Sequence, residues 1–378
     1  MSDPSVWLKL AYQQPGAQLS KNADGSWSLT TPDGQWHYAL TLPMNAICSG
    51  PQNSDICARV RLQVSTGSIG VGLVNTSGSD YVSSEEQIDA DGQIHAVTLA
   101  PDRNTIWGAL IIRNVSEAGH SSCVIHDLSV LSMSEVPPAE YLTARSNRFN
   151  TKKWAYAFDL GHGVVTKTFK DGMQDFTNLH SAVVFDLIKR YVGSCAGLRC
   201  LDAACSSGFF SFALAEMGFE SVYAFDIDAQ SIAQAKFVQE CELKPEHARI
   251  QFTTQDLLAF EPPSDKFDVV VCTGALQSVS DILGATRKIF ECTRRWAFIH
   301  SVTSEMKGPI LELSSLLEQP LLLPSKTVLV DMFTLAGAKK IDAHLPQDSK
   351  FQSLLQKCSN PYYRRMYERN SIYLVIER

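Results

Sequence analysis

Hydrophobic and polar positions follow two different patterns in this chain, and the pattern changes between residues 135 and 175. Up to about residue 135, apolar and polar residues alternate in short runs such as "ARVRLQV" and "HAVTLA", separated by turn pairs such as Asp33-Gly34 and Asp91-Gly92. Alternation of period two predicts half-buried strands. Because many short strands divided by turns are typical of an all-β sandwich, we predict a β-sandwich domain over residues 1–135.

Beyond about residue 175, segments of helical period alternate with short apolar runs. "FTNLHSAVVFDLIKRYVG" predicts a helix, "LRCLDAA" a strand, "FSFALAEMG" a helix and "SVYAFDI" a strand, and the alternation continues to a last apolar run, "SIYLVIER". Strands joined by helices form a mostly parallel sheet with helices on both faces. We therefore predict an α/β, doubly wound, Rossmann-like domain over residues 175–378. The adjacent prolines of "SEVPPAEY" mark the end of the first domain, and residues 136–174 are predicted to be a linker.

Composition and charge narrow the class of protein. A length of 378 residues with 45% hydrophobic residues suffices for two globular domains, and a net charge of −7 disfavours broad binding to nucleic acid. No apolar run reaches the roughly 20 residues of a membrane span, and the start "MSDPSVWLKLAYQQ" lacks the layout of a signal peptide. We expect a cytoplasmic protein without a membrane partner.

The cysteines predict buried, reduced thiols. Ten cysteines are spread along the chain without a CxxC pair or a Cys/His cluster at metal spacing. We therefore expect no metal site, and Cys48 with Cys57 is the only pair worth testing for a disulfide.

The stretch "LDAACSSGFF" turns from a predicted strand to a predicted helix through small residues, Ala204 to Gly208. In a doubly wound sheet a ligand binds beyond the carboxyl ends of the strands, where small residues let the backbone approach it. The N–H groups at the start of the next helix favour a carboxylate or a phosphate. The alternative is an ordinary turn in which the serines cap the helix.

Three further strand ends carry residues suited to a nucleoside. Asp226 ends a strand eighteen positions after Gly208, a spacing at which a carboxylate accepts hydrogen bonds from ribose hydroxyls. Asp256 follows the next strand and suits an adenine amino group, and the fourth strand ends in an open turn at Thr273 and Gly274. Together, the four strand ends predict one binding crevice.

These residues resemble the class I S-adenosylmethionine-dependent methyltransferases. "LDAACSSGFFS" looks like the family's LDxGCGxGxxS loop, with Asp202 and Gly208 matched and Ala204 and Ser206 in place of glycines. "AFDID" resembles the ribose-binding strand end, "TQDLL" the adenine-binding segment, and "VCTGALQSVSD" the fourth-strand segment, in which Ser278 stands at a frequent histidine position. The resemblance covers roughly residues 155–378.

The resemblance implies a seven-stranded methyltransferase domain with S-adenosylmethionine as its cofactor. The cofactor-binding residues that it implies are Asp202, Ala204, Cys205, Ser206, Gly208, Asp226, Ile227, Asp256, Leu257, Thr273 and Gly274.

The segment "YAFDLGHGVVTKTF", residues 156–169, looks like the "DLGDGVxTPG" lead-in of one branch of the family. That branch includes proteins similar to tRNA wobble-uridine carboxymethyltransferases and many bacterial sugar and small-molecule methyltransferases. The resemblance implies that this lead-in packs over the cofactor and helps to close the active site, with His162 where Asp or Asn is commoner.

Methyl transfer from a sulfonium is an in-line displacement, so an enzyme aligns the two groups and removes a proton from a hydroxyl acceptor. His300, at the end of "RRWAFIHSV", is the predicted general base, with a near-neutral pKa. His162 and His180 are further candidates, and Gln277 and Ser278 are candidates for positioning the acceptor. A hydrogen-bonded structural histidine is the alternative for His300.

Two regions bear on the acceptor. "NPYYRRMYERN", residues 360–370, alternates aromatic and basic residues and either holds a phosphate or sugar or forms a solvated helix face with aromatic packing beneath. Trp7, Trp27, Trp36 and Trp107 lie in the first domain and either stack on sugar rings or pack in its core. This domain also resembles an accessory β-domain found with glycosyltransferases and methyltransferases of bacterial surface-glycan clusters.

We therefore expect O-methylation of a saccharide or secondary-metabolite hydroxyl, with the first domain binding the acceptor or a partner. A tRNA wobble-uridine (carboxy)methyltransferase-like enzyme is one alternative, and a non-catalytic scaffold that keeps the methyltransferase fold is another. The expected partner is a small-molecule or glycan acceptor rather than nucleic acid, and homodimer formation stays open.

Overall fold

The computed structural model describes residues 4–43, 56–102, 105–117, 119–149, 154–168, 173–241, 243–314, 321–345, 355–356, 358 and 360–378. The chain divides into two compact units, each with its own core. The first consists of Met1–Thr151 with His162–Val164, and the second of Lys152–Gly161 with Val165–Arg378. Cys48, a member of the predicted cysteine pair, lies outside the described residues, and Cys57 is buried.

The first unit is built from antiparallel strands that form two five-stranded sheets. One sheet has the order β1-β4-β9-β6-β7 and the other β2-β3-β10-β5-β8. The described elements are α1 (Pro4–Lys9), β1 (Tyr12–Gln13), β2 (Gln18–Lys21), β3 (Trp27–Thr30), β4 (Tyr38–Pro43), β5 (Ile56–Thr66), β6 (Ser68–Val74), β7 (Glu86–Asp89), β8 (Ile94–Leu99), β9 (Ala109–Asn114), β10 (Ser122–Ser132) and α2 (Pro138–Asn147).

The core of the first unit lies between these two sheets. Leu40 and Ile112 come from one sheet and Val60 and Leu62 from the other, and all four belong to one cluster of buried side chains. Alternate residues of β5 are buried, as the period-two pattern predicts. The predicted β-sandwich is confirmed.

The second unit is a seven-stranded sheet with helices between its strands. Its elements are α3 (Met173–Tyr191), β11 (Arg199–Ala203), α4 (Phe209–Glu216), β12 (Ser221–Asp226), α5 (Ala229–Glu240), β13 (Ile250–Thr254), β14 (Phe267–Thr273), α6 (Ile282–Cys292), β15 (Thr293–Val302), β16 (Leu311–Ser314), β17 (Leu321–Pro324), α7 (Lys326–Leu335), β18 (Lys340–His344), α8 (Pro361–Asn370) and β19 (Ser371–Glu377). The sequence analysis did not predict the hairpin of β16 and β17, which lies outside the large sheet.

The sheet has the strand order β13-β12-β11-β14-β15-β19-β18, so the order reverses between β11 and β14. The first five strands pair in parallel, while β19 is antiparallel to both of its neighbours. Val269, Val270 and Val271 of β14 are fully buried, because helices cover both faces of the sheet. The predicted doubly wound α/β fold is confirmed, and its switch point is where such sheets bind ligands.

Candidate functional site

The loop between β11 and α4 follows the strand at the switch point and has an unusual backbone. Ala204 and Ser206 adopt positive φ angles of 61° and 49°, and Gly208 follows with a φ of 84°. Left-handed backbone costs a residue with a side chain about 1–2 kcal/mol. The family pattern that this loop resembles has glycines at the first two of these positions, and glycine adopts such angles without this cost.

Gly208 is required by space as well as by backbone angle. A Cβ atom there would lie 2.8 Å from Cζ of Phe252 and 3.2 Å from Cβ of Ala235. The absence of a side chain lets α4 begin directly after the loop, with Gly208 at its N-cap. The first N–H groups of α4 therefore lie at the edge of the sheet where a ligand binds.

Asp226, at the end of β12, holds this loop in place. One carboxylate oxygen, Oδ2, accepts a hydrogen bond from the backbone N–H of Ser206 at 2.8 Å, and Oδ1 accepts one from the N–H of Asp228 at 2.9 Å. A carboxylate oxygen accepts more than one hydrogen bond. Asp226 can therefore support the loop and still accept hydrogen bonds from ligand hydroxyls.

Asp202, on β11, is a buried carboxyl with an unused oxygen. It is 1% exposed, and its Oδ2 accepts a hydrogen bond from the hydroxyl of Ser211 at 2.6 Å. Its Oδ1 has no hydrogen-bond partner within the part of the chain that the structure describes. Burial, together with the nearby charge of Asp226, raises the pKa of Asp202 to about 7. A ligand cation beside Oδ1 would restore the charged form.

The other predicted cofactor residues also follow the strand ends. Asp256 comes after β13, and its Oδ1 accepts a hydrogen bond from the N–H of Leu258 at 3.0 Å. Leu257 packs into the core at 6% exposure, whereas Ile227, directly after β12, is 69% exposed.

Thr273, Gly274 and Cys205 complete the predicted cofactor set. Thr273 ends β14, and the N–H of Gly274 donates to the carbonyl of His300 at 3.0 Å. Cys205, in the loop after β11, is buried, and burial raises the pKa of its thiol. Since these strands run in parallel, the predicted cofactor residues share one edge of the sheet.

The lead-in before α3 packs on the helix that follows the loop. The rings of Tyr156 and Phe209 stack with centroids 5.0 Å apart, and Phe158 meets Phe212 edge-on at 5.9 Å. Burial raises the pKa of Tyr156, and the charges of Asp202 and Asp226 act in the same direction. The sequence analysis did not single out Tyr156, since only the aromatic contacts with α4 reveal its position.

His300, the predicted base, lies inside a buried cluster on β15. It is 2% exposed, its Nε2 lies 3.2 Å from the hydroxyl of Ser371, and its ring centroid is 4.1 Å from that of His180. His180 Nδ1 in turn lies 2.9 Å from the hydroxyl of Tyr373. The sequence predicted a near-neutral pKa for His300, and burial instead lowers its pKa to about 3.

The other candidates for catalysis have different surroundings. His162 is exposed, with a φ of 52°, in the segment that follows Gly161. Ser278 is exposed at the end of a short 3-10 turn, and its N–H donates to the carbonyl of Ala275. Gln277 is buried, and its Nε2 donates to the carbonyl of Gly274. The roles of His300, His162 and Ser278 stay predictions.

The described part of the chain has neither a candidate metal centre nor a helix that could span a membrane. No group of three or more His, Cys, Asp or Glu side chains among them could hold a metal ion. No helix in the same part of the chain has the length and apolarity needed to cross a membrane.

Comparison with known proteins agrees with this geometry. Residues 195–314 match the family model of a methyltransferase domain. The ubiquinone biosynthesis O-methyltransferase of Leptothrix cholodnii is 26% identical over 147 residues, which are 37% of this chain and 60% of that protein. This chain thus spans less than two thirds of the length of that curated relative.

Solved structures give weaker likenesses. The N-terminal domain of EvdMO1, in the presence of SAH and D-fucose, is 14% identical with a TM-score of 0.47, covering 65% of this chain and 98% of that one. Magnesium protoporphyrin IX methyltransferase from Synechocystis PCC 6803, with bound SAM, is 17% identical with a TM-score of 0.41, covering 56% of this chain and 86% of that one. Likenesses of this strength carry no argument about an acceptor.

The matched segment contains the switch point, the left-handed loop and the strands that carry Asp202 and Asp226. Residues 195–314 therefore match a methyltransferase domain, in agreement with the resemblance of the sequence to the class I S-adenosylmethionine-dependent methyltransferases. S-adenosylmethionine is the cofactor of this class, and two features of the chain fit it. The unpaired Oδ1 of Asp202 suits its ammonium group, and the first N–H groups of α4, directly after Gly208, suit an anionic group of the cofactor.

Proposed function

We propose that this chain is an S-adenosylmethionine-dependent methyltransferase that methylates a hydroxyl oxygen of a saccharide or secondary metabolite. The observation that carries methyl transfer is the pair of carboxylates, Asp202 and Asp226, around a left-handed loop at the switch point of the sheet. Oxygen as the acceptor atom is supported by the similarity to the Leptothrix relative, an O-methyltransferase. The tRNA-modifying branch stays an alternative, supported by the lead-in sequence alone.

The residues at the sheet edge would each bind a different part of the cofactor. Asp226 would accept hydrogen bonds from the ribose hydroxyls, Asp256 one from the adenine amino group, and Asp202 would pair through Oδ1 with the ammonium group. When bound, the cofactor supplies an electrophilic methyl group on its sulfonium. The lead-in aromatics, the half-buried Tyr156 and the buried Phe158, would exclude water on the α4 side of the loop.

An acceptor hydroxyl also needs a group that takes its proton. Nδ1 of His300 has no partner among the described residues, and burial keeps this imidazole neutral at any pH above about 3. A neutral imidazole with so low a pKa accepts a proton only weakly. His300 stays the proposed base because its Nδ1 is neutral and unpaired among the described residues, although its low pKa makes it a weak one. The exposed His162 and the buried His180 are the alternative bases, and the exposed Ser278 is proposed to position the acceptor.

Calorimetric titration with S-adenosylhomocysteine tests the cofactor site. We expect micromolar binding by the wild type and binding weaker by roughly tenfold or more in Asp226→Asn, because the variant loses charge-assisted hydrogen bonds. Asp331→Asn, an exposed aspartate on α7, is the matched control and should bind like the wild type. If the wild type does not bind, the catalytic proposal is wrong and the scaffold alternative stands.

The first unit has one tryptophan placed to meet a sugar. Trp27 and Trp107 are buried in its core and Trp7 packs against that core, whereas Trp36 is 47% exposed with a positive φ of 70°. The guanidinium of Arg113 lies 4.6 Å from the ring centroid of Trp36, and both residues line a cavity of about 430 Å³. Strained, exposed aromatic residues beside a cation are typical of binding surfaces. We propose that this surface binds a saccharide part of the acceptor.

A panel of neutral oligosaccharides tests this surface on the full chain. We expect at least one oligosaccharide to quench the tryptophan fluorescence of the wild type, and the same oligosaccharide not to bind Trp36→Ala. Tyr12→Ala removes another exposed ring and is the matched control, which should bind like the wild type. Equal binding by Trp36→Ala would overturn the assignment of this surface.

A further inference from the structure

A positively charged cavity lies beyond the carboxyl end of β15, outside the predicted cofactor residues. Its volume is about 460 Å³, within the usual range of about 300–1,000 Å³ for small-molecule sites. Ser304 and Lys307 line it from the segment after β15, Lys326 and Thr327 from the start of α7, and Arg369 from the end of α8. Residues from three separate segments therefore meet around one space.

The charges around this cavity are unbalanced. Lys307, Lys326 and Arg369 are cationic, and Glu305 is the single carboxylate among the lining residues, in a chain whose net charge is −7. None of the three cations forms an ion pair within the part of the chain that the structure describes. Cations gathered around one cavity repel one another, so a bound anion would stabilise them.

Lys326 is the most enclosed of the three cations. Its side chain is half-buried, whereas Lys307 and Arg369 are exposed. Burial lowers the pKa of the Lys326 ammonium, while the charge of Glu305 acts in the opposite direction. Desolvation of a cation without a close partner is unfavourable, and an anion in the cavity would offset it.

The backbone supplies further donors to the same space. Helix α7 is ten residues long and begins after Ser325, whose hydroxyl accepts a hydrogen bond from the N–H of Val328 at 3.3 Å. The N–H groups of Lys326 and Thr327, in the first turn, have no acceptor within the helix. Because both residues line the cavity, the positive end of the helix dipole adds to the side-chain charges there.

The position of the cavity relates it to the acceptor rather than to the cofactor. The segment Ser304–Gly308 follows β15, which lies on the far side of β14 from the loop at Ala204–Gly208. The N–H of Thr303 donates to the carbonyl of Asn370, which brings Arg369 to the same edge of the sheet. A molecule that reaches from the switch point toward β19 would meet these cations.

We propose that this cavity binds an anionic group, a phosphate or a carboxylate, of the methyl acceptor. Arg369 offers a planar pair of donors to two oxygens, Lys307 and Lys326 neutralise the charge, and the first N–H groups of α7 complete the site. The identification of the anion's carrier as the acceptor rests on the proposed function, whereas anion binding itself does not.

Titration calorimetry with inorganic pyrophosphate and with malonate, at low ionic strength, tests this site on the full chain. We expect one of the two anions to bind the wild type. Its affinity for the double variant Lys326→Gln, Arg369→Gln should be lower by about tenfold or more. Pyrophosphate as the tighter ligand indicates a phosphorylated acceptor, and malonate a carboxylate acceptor. Lys236→Gln, an exposed lysine on α5, is the matched control for charge.

A second variant separates loss of the site from loss of the fold. Glu305→Gln removes the one carboxylate of the cavity, so anion binding should tighten by about threefold, a gain that misfolding cannot produce. Equal affinity of all variants, or no binding of either anion to the wild type, would overturn the proposal. Retained binding of S-adenosylhomocysteine would then show that the proposed function survives. Anion binding without binding of S-adenosylhomocysteine would support the anion site and overturn the proposed function.

Discussion

Because the pKa of Asp202 is raised in the folded state, we expect the titration of this one carboxyl to make the free energy of unfolding depend on pH. The pKa of this carboxyl rises from 3.8 to about 7 on folding, because the side chain is buried with one unpaired oxygen. The folded state therefore holds a proton that the unfolded state releases, so stability falls as the pH rises from about 4 to 7. At 1.36 kcal/mol per pKa unit, the full cost above pH 7 is about 4 kcal/mol.

The substitution Asp202→Asn removes this titration and keeps an oxygen that accepts the hydroxyl hydrogen bond of Ser211. We expect the free energy of unfolding of the variant, relative to the cofactor-free wild type, to increase by about 2.5 kcal/mol between pH 5 and pH 8.5. Urea unfolding at both pH values measures this difference. Comparing one variant with the wild type cancels the titration of all other groups.

Asp331→Asn, at an exposed position on α7, is the matched control in the same assay. A difference between Asp202→Asn and the wild type that is constant with pH would refute the reasoning, since the carboxyl would then titrate alike in both states. The same carboxyl predicts that wild-type affinity for S-adenosylhomocysteine rises between pH 6 and pH 8, if Oδ1 pairs with its ammonium group.

Three further predictions follow from the site and its surroundings. Gly208→Ala should lower the free energy of unfolding by about 1–3 kcal/mol and weaken binding of S-adenosylhomocysteine, because the new Cβ would meet Phe252; urea unfolding and calorimetry measure both effects. The double variant Ala204→Gly, Ser206→Gly should be more stable by about 1 kcal/mol or more in urea, since relief of left-handed backbone at two positions outweighs the greater freedom that two glycines give the unfolded chain, and a loss of stability would contradict this. The pKa of His300 is about 3 in the folded state, so below about pH 6.5 the unfolded state binds a proton that the folded state does not, and the free energy of unfolding falls. Between pH 7.5 and pH 5, the free energy of unfolding of His300→Gln should therefore fall by about 2 kcal/mol less than that of the wild type, as urea unfolding measures.

The fold was largely predictable because its signals are local. Alternation in β5 and unbroken apolar runs such as that of β14 each give a strand directly, and the order of strands and helices then restricts the sheet to a parallel type. The loop before α4 was also predictable, since the small residues there occupy positions where the backbone turns left-handed.

What the sequence could not show depends on contacts between distant residues. The pKa of His300 follows from its burial in a cluster with His180 and Tyr373, 120 and 73 positions away in the chain. Likewise, Lys307, Lys326 and Arg369 have no common spacing, and only the fold brings them to one cavity. No periodicity or motif carries such information.

The last strand, β19, lies between β15 and β18, and this position restricts how the sheet can be completed during folding. In the described sheet β18 pairs with β19 alone, although β18 comes earlier in the chain, and β19 separates it from β15. β18 therefore joins the sheet only through β19, either after β19 has paired with β15 or together with it, and β15 keeps an open edge until β19 is in place. Such an edge attracts other chains, so rapid dilution or a chaperone should improve refolding yield more than any change near the cofactor loop.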